Sequence, residues 1–490
     1  MRKLVLIALI ALVSCSKDEV VSGDNGNDGG TTVTLNNEVN DFVWKGLNSW
    51  YNWQAQVTDL ADTKDDNTDQ YYTYLNGFSK PEDLFNSLKH PSDDFSWFIE
   101  DYVAQQQAFQ GITKSFGFRI ALVRVDSTDD VVAYIQFVST GSPADLAGFK
   151  RGDIFNGING NKMTTANFRT VLEPYSAAET ATFNFVETDG VTSKEDKTIT
   201  GTTVADNPVH LTKVFDNING KKVGYLVYNG FRSSFNDELN AAFAQLKSAG
   251  IQELVLDLRI NGGGSVLTSA YLASMITAEV TEGTTFGELR YNSKHTDRNA
   301  RAPFFNTLTK FDADGNNLGT ETINRVSGLT RLYVLASGST ASASEMIING
   351  LRPFIDVKVV GVKTTGKNEG SITLYDSPTS DFTDVNSANP NHKNAMQPIV
   401  FQIYNSLGQS DYADGFEPNI KVEEFRSWRN ILPFGDENEV LLKAALDDIK
   451  GITARSSLIN VDNSAELIQT RQPKFSQDMY IDHNFIELVK

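Results

Sequence analysis

Cysteine occurs once in 490 residues, at Cys15, so the chain has no intramolecular disulfide and no cysteine-built zinc site. Histidine is scarce too: His90, His210, His295, His392 and His483 fall in no motif, and no metal or organic cofactor is implied. Composition alone does not exclude a Ser-His-Asp triad, but His392 sits in a polar Asn-Pro-Asn loop and reads as a surface residue. No run of lysine or arginine interrupts a net charge of −19, which repels nucleic acid and anionic headgroups and removes nucleic-acid binding from the candidate functions. The apolar run Leu4–Val13 is ten residues long, too short to span a bilayer. No internal repeat is evident. What remains is ordinary globular composition, 40% apolar and 21% charged, at a length that suggests about three domains.

The amino terminus explains the lone cysteine. Met1-Arg2-Lys3 is basic, Leu4–Val13 has the length of a signal-peptide apolar region, and Leu12-Val13-Ser14-Cys15 follows. This segment resembles a bacterial lipoprotein signal (residues 1–15) whose lipobox ends at the lipidated Cys15. Two or three acyl chains there would anchor the protein stably, at about 0.8 kcal/mol per buried CH2. Residues 16–36, rich in Gly, Asn, Asp and Thr, read as a flexible tether. Their Lys17-Asp18-Glu19 start is similar to an acidic export tag. The implied location is the bacterial cell envelope, lipid-anchored to the outer membrane and facing the periplasm or the outer surface.

Residues 37–110 carry a helical pattern. Val39, Phe42, Val43, Leu47 and Tyr51 form one apolar face, and Pro81-Glu82-Asp83 opens a second helix with proline and acids in its first turn. A third amphipathic stretch is expected from Phe95 through Phe98, Ile99, Tyr102 and Val103. This region reads as a small helical domain with no visible chemistry.

At Ser115 the period becomes strand-like and continues to Val138; Gly141-Ser142-Pro143-Ala144 and Ala147-Gly148-Phe149-Lys150-Arg151-Gly152-Asp153 follow. With the loop Ser115-Phe116-Gly117-Phe118, these segments resemble a PDZ domain of the bacterial protease type across residues 111–205. The resemblance implies that a peptide adds as a strand beside the loop, whose backbone N–H groups capture its terminal carboxylate. Phe116, Gly117, Phe118 and Ile120 are then the peptide-binding residues, with Phe116, Phe118 and Ile120 lining an apolar pocket. The bland reading is a β-rich domain whose glycines serve tight turns.

From residue 206 to 450 strands alternate with helices, the pattern of an α/β layered core. Strands are expected at Val223–Tyr228, Leu254–Leu258, Leu332–Ala336 and Val357–Val362, and helices at Phe235–Ala249 and Glu345–Leu351. Between a buried strand and a helix lies Ser337-Gly338-Ser339-Thr340-Ala341-Ser342-Ala343-Ser344-Glu345. A serine there has helix N-terminal amides beside it, as attack on an amide carbonyl requires, but Ser342-x-x-Glu345 is also a capping box. Taken alone, the cap is favoured. Two further segments reverse that preference: Gly262-Gly263-Gly264 after a buried strand, and Lys367 in Thr364-Thr365-Gly366-Lys367 just past another. If strand 357–362 neighbours strand 332–336, Ser342 and Lys367 emerge at related edges of the sheet. Lysine acts as a base only when neutral, which burial favours. Residues 451–490 have mixed periodicity and no assigned role.

The Ser-Ala-Ser-Glu block, the run Asp257-Leu258-Arg259-x-Asn261-x-Gly263-Gly264 and the Gly-Lys block resemble the C-terminal processing (tail-specific) proteases. The resemblance covers roughly Ser115 to Lys450. It implies a crotonase-like α/β spiral for the catalytic domain, Ser342 as nucleophile and Lys367 as base. It also implies oxyanion donors at Ala343 and at Gly263 or Gly264. One departure is evident: Ser371 stands where many relatives place a Gln or Glu that orients the lysine, with Glu369 or Thr373 as substitutes. The expected activity is endopeptidase cleavage of peptide or protein substrates with free C-termini. A noncatalytic peptide- or ligand-binding surface lipoprotein on the same scaffold is the alternative, and a structural surface adhesin has only the acidity and the tether in its favour.

Overall fold

The computed structural model describes residues 32–125, 128–452, 462–468 and 477–481. Cys15, the signal and most of the tether lie outside the described residues, as does His483.

The central element is a six-stranded sheet in the order Val209–Ile218, Lys221–Tyr228, Glu253–Asp257, Arg331–Ala336, Asp356–Gly361, Ile420–Lys421. Its first pair is antiparallel and the rest are parallel. Side chains alternate across each strand, so both faces are apolar. Val223, Tyr225 and Val227 join Val255, Tyr333 and Leu335 under the helix Val440–Ile449. Leu226, Leu254, Leu256, Leu332 and Val334 face the opposite way, into the largest core cluster. The helices Asn236–Ala249 and Ala343–Leu351 each connect neighbouring parallel strands. Strand 331–336 pairs in register with 356–361, which meets the condition for bringing Ser342 and Lys367 together.

A second six-stranded sheet runs Gly264–Ser265, Met479–Tyr480, Glu369–Ser371, Ile399–Asn405, Thr285–Tyr291, Ala300–Pro303. Here the expectation of an unassigned C-terminal segment is replaced by a placement: two residues of that segment form an inner strand, between the glycine loop and the strand after Lys367.

The amino-terminal helices are Glu38–Trp50, Thr68–Asn76, Pro81–Ser87 and Tyr102–Phe109. They do not enclose a core of their own. Phe42, Trp44, Leu47 and Leu84 belong to the same cluster as Leu256, Ile347 and Met479. The expected third helix begins later than the periodicity suggests. Trp97–Ile99 is a short strand paired with Ala395–Gln397, and Asp101 caps the helix that follows by accepting from the N–H groups of Val103 and Ala104. An unbroken bulky run, Trp97-Phe98-Ile99, suits a strand that packs on both faces.

Residues 112–205 form a β-rich module in which Phe118–Arg124, Val131–Val138, Ile154–Ile158, Ala181–Val186 and Lys197–Ile199 pair in that order. Gly117 has φ of +78°, and a Cβ there would lie 2.1 Å from Ser142 Cβ, so the turn before the strand Phe118–Arg124 needs glycine. The pocket expected of Phe116 and Phe118 is not where the rings go. Both are buried in the module's core, with Phe118 packed 5.1–6.5 Å from the rings of Phe149, Phe155, Tyr175 and Phe183. Five neighbouring aromatics give Phe118 more apolar area inside than a surface groove offers. Ile120 alone of the three remains partly exposed beside a cavity.

Candidate active site

Strand 331–336 delivers the chain to a turn that reverses into the helix Ala343–Leu351, and Ser342 sits at the reversal with φ 64° and ψ −118°. An ordinary N-cap residue is extended; a serine held at positive φ stores strain that the surroundings must offset. The stretch has the outline of a capping box, with Glu345 accepting from the Ser342 N–H at 2.9 Å. Yet Ser342 Oγ is buried and has no hydrogen-bond partner among the described residues. Its hydroxyl is held ready instead of being used.

The Glu345 carboxylate is the hub. One oxygen accepts from the N–H groups of Ser342 and Lys367 (2.9 and 2.8 Å), the other from the Gly366 N–H and the Thr364 hydroxyl (2.7 and 2.6 Å). Burial pushes its pKa up, and these four donors oppose the rise. Two loops that diverge from neighbouring strands are thereby tied to one side chain. Glu345 was legible only as half of a capping box.

The glycine loop is tied to the elbow through Asn261. Its carbonyl accepts from the Ser344 hydroxyl and the Ala341 N–H, and its side chain accepts from the Gly263 N–H at 2.9 Å. The Gly263 amide is therefore engaged, and Gly264 pairs in the sheet with Met479, while Ala343 stands at the first position of the helix, where backbone N–H groups have no intrahelical acceptor. Gly263 has a steric duty. With φ of +116°, an added Cβ would lie 2.7 Å from Ser342 Cβ and 2.8 Å from the Asp478 carbonyl oxygen.

Lys367 is 1% exposed and Ser342 is fully buried. The Lys367 ammonium donates to the Gln477 carbonyl at 2.8 Å, lies 3.7 Å from Asp478 and sits 4.8 Å from the centroid of the Phe95 ring. Burial pulls its pKa below the usual lysine value, while Asp478, Glu369 and Asp93 oppose the fall. Those acids respond in turn. Burial lifts Asp478 to about 6 against the pull of Lys367, and burial with Asp93 nearby lifts Glu369 to about 7. Neither proposed orienter hydrogen-bonds the amine: Thr373 donates to Gln397, and Glu369 acts as a nearby charge. Ser371 donates to the Met479 carbonyl and accepts from Gln397. The amino-terminal region, expected to carry no chemistry, contributes Phe95 and Asp93. Asp93 is fixed by the Tyr51 hydroxyl at 2.7 Å.

His295 and His392 are used elsewhere. His295 stacks on Trp50 with centroids 3.7 Å apart, and His392 lies 3.1 Å from Asp376. A cavity of about 640 Å3 opens beside the lysine, lined by Phe95, Ser337, Lys367 and Asp478 on one side and by Ile120 and Leu122 of the module on the other. Between the two halves lies a buried charge network. Arg259 bonds Asp257, Glu439 and Glu424, and Glu424 also accepts from Arg151 of the module at 2.5 Å. Among the described residues no cluster of His, Cys, Asp and Glu is placed to hold a metal.

A free serine on a strand-to-helix turn, tied to a buried lysine, is the layout of a serine-type peptidase. Residues 222–422 match Peptidase family S41, and residues 38–97 match the Peptidase S41 N-terminal domain. The chain belongs to peptidase family S41. It is 30% identical over 231 residues to a carboxyl-terminal-processing protease of Picosynechococcus sp., covering 46% of this chain and 49% of that one. It is 23% identical over 227 residues to a "Probable CtpA-like serine protease" of Staphylococcus aureus, covering 46% and 40%. The chain thus spans about half the length of the curated relatives it matches. The solved structure of a protein from Bacteroides fragilis described as a "Putative S41 protease" aligns with TM-score 0.64 and 27% identity, over 84% of this chain and 97% of that one.

Proposed function

We propose that the protein is a serine endopeptidase working through a Ser342–Lys367 dyad on extended peptide segments. Neutral Lys367 takes the Ser342 hydroxyl proton as Oγ bonds to the scissile carbonyl carbon. The resulting oxyanion is held by the amide of Ala343 and one from the glycine loop, at Gly263 or Gly264. Collapse breaks the C–N bond, Lys367 returns the proton to the leaving amine, and water hydrolyses the acyl-enzyme by the same relay. The single observation that carries this reading is the Ser342 hydroxyl, buried without a partner among the described residues at a positive-φ turn that shares the Glu345 carboxylate with the lysine loop. A noncatalytic binding protein has no use for a strained serine tied through Glu345 to the loop of a lysine whose pKa burial lowers.

Residues 111–205 serve in this proposal as a PDZ-type module that takes a substrate's free C-terminal segment and passes the chain to the cleft. The catalytic domain is of the crotonase-like spiral type, and a lipid on Cys15 holds the protein at the bacterial envelope. The dyad is tested by turnover of an unfolded protein substrate. Ser342→Ala and Lys367→Ala are each expected to remove at least about 99% of the rate, with the double variant little worse, because the pair works as a unit. A Lys367→Ala protein that keeps most of its rate overturns the assignment.

A further inference from the structure

The C-terminal stretches 462–468 and 477–481 supply no proposed nucleophile, base or oxyanion donor, yet they lie across the site. Glu466–Ile468 adds as an antiparallel strand to the module's edge, pairing Glu466 with Arg124, Leu467 with Val123 and Ile468 with Leu122. Ile468 packs against the module's apolar core while Leu467 points outward, 46% exposed, as period-two alternation requires. Met479–Tyr480 then adds in parallel to Gly264–Ser265 on one side and to Ser371 on the other. The gap it fills is the one between the oxyanion loop and the strand following Lys367. Strand addition to both edges is how an extended peptide is read.

We propose that these stretches are a peptide ligand held in cis, occupying the track that a substrate takes from the module's edge strand to the catalytic pair. The proposal rests on the peptidase reading only for calling the outside occupant a substrate. The geometry excludes a second chain. The Gln477 carbonyl holds the Lys367 amine at 2.8 Å. The Asp478 carbonyl presses on the same face of Gly263 as Ser342 Oγ, since a Cβ on Gly263 would meet them at 2.8 and 2.9 Å. Two of the contacts are made to main-chain carbonyls of the segment, at Gln477 and, through the Ser371 hydroxyl, at Met479. Side chains add to them: the Gln477 amide donates to the Thr365 hydroxyl at 3.1 Å, Asp478 lies 3.7 Å from the Lys367 amine, and Met479 is buried in the main core cluster. Specific anchoring comes from Tyr480, stacked on Phe109 with centroids 4.1 Å apart and donating to its carbonyl at 3.1 Å. Tethering in one chain keeps the local ligand concentration near millimolar, enough for weak contacts to hold the track closed.

The test uses the full chain carrying Ser342→Ala and a labelled synthetic peptide reproducing residues 462–481. Ile468→Asp with Tyr480→Ala, which loosens both strands, is expected to raise the peptide's affinity at least about tenfold over the unloosened chain. Binding unchanged or weaker in a natively folded variant overturns the proposal and makes these strands fixed parts of the fold. Hydrogen exchange on the unaltered chain decides the matter independently of any variant. Amides of Met479 and Tyr480 are expected to exchange faster than those of the core strand Ile399–Asn405, and equal protection overturns the proposal. With Ser342 restored, the loosened chain is expected to cut an unfolded protein about tenfold faster. If it binds the peptide more tightly yet cuts nothing, the peptidase reading fails and the cis ligand stands.

Discussion

Glu345 accepts the Lys367 N–H at 2.8 Å through the same oxygen that accepts the Ser342 N–H at 2.9 Å, so one carboxylate sets the spacing of the two loops that carry the proposed nucleophile and base. Glu345→Ala leaves three amides and a hydroxyl buried without their acceptor. At about 1–3 kcal/mol per unsatisfied group, partly relieved by water, the variant is expected to lose at least about 3 kcal/mol. Urea unfolding measures that loss. Glu345→Gln replaces one acceptor with an NH2 group aimed at donors, so it is expected to fold with reduced stability and to lose most of its turnover. A Glu345→Gln protein with unchanged kcat contradicts the hub.

Gly263→Ala probes the close approach beneath the serine. The methyl group meets Ser342 Cβ at 2.7 Å and a backbone carbonyl, on a residue with φ of +116°. Turnover is expected to fall at least about a hundredfold, with secondary structure by circular dichroism retained. Gly319→Ala, which meets nothing within 4 Å at φ of +102°, is the control for backbone strain alone.

The pH profile reports the charge around Lys367. A base works when deprotonated, so the rate is expected to rise with pH, and burial brings that rise below the ordinary lysine range. Asp478 favours the charged ammonium. Asp478→Asn is therefore expected to move the rising limb to lower pH; a limb that stays in place shows that another group titrates.

Glu369 has a consequence for stability that runs the other way. Its folded pKa, raised from 4.5 to about 7, means that the folded state holds the proton more tightly than the unfolded state. Its stabilising contribution is complete below pH about 4.5 and is lost as pH rises through about 7, by up to about 3 kcal/mol. Glu369→Gln is expected to flatten the decline in unfolding free energy between those limits. A slope identical to that of the unaltered chain removes this account.

Attachment to the envelope is tested at Cys15. Cys15→Ser is expected to release the protein from the membrane fraction while the soluble ectodomain keeps its turnover, since the single cysteine is the only thiol available for acylation. Fractionation in which the variant remains membrane-bound and normally processed would falsify the anchor.

Local information carried much of the fold. Alternating apolar residues announced strands 221–228, 253–257, 331–336 and 356–361, and the small-residue turn before Ala343 announced an elbow. These follow from the sequence because pleat, helical period and glycine's freedom are decided within a few residues. Gln477 and Asp478 gave no such signal. Both lie in a stretch whose periodicity is mixed: Gln477 reaches Lys367 from 110 residues away through a main-chain carbonyl that leaves no mark on residue choice, and Asp478 through a lone carboxylate. Phe116 and Phe118 show the same limit from the other side: a Phe-Gly-Phe loop carries its chemistry in the sequence, but whether the rings face a groove or a core depends on the aromatics folded around them. By itself the sequence determined which residues could attack, abstract a proton or bend. Only the tertiary structure decided which hydroxyl stays unpaired, which carboxylate joins the two loops and which segment lies on top of them. Burial and hydrogen-bond competition are properties of the whole packed chain and not of any stretch of it.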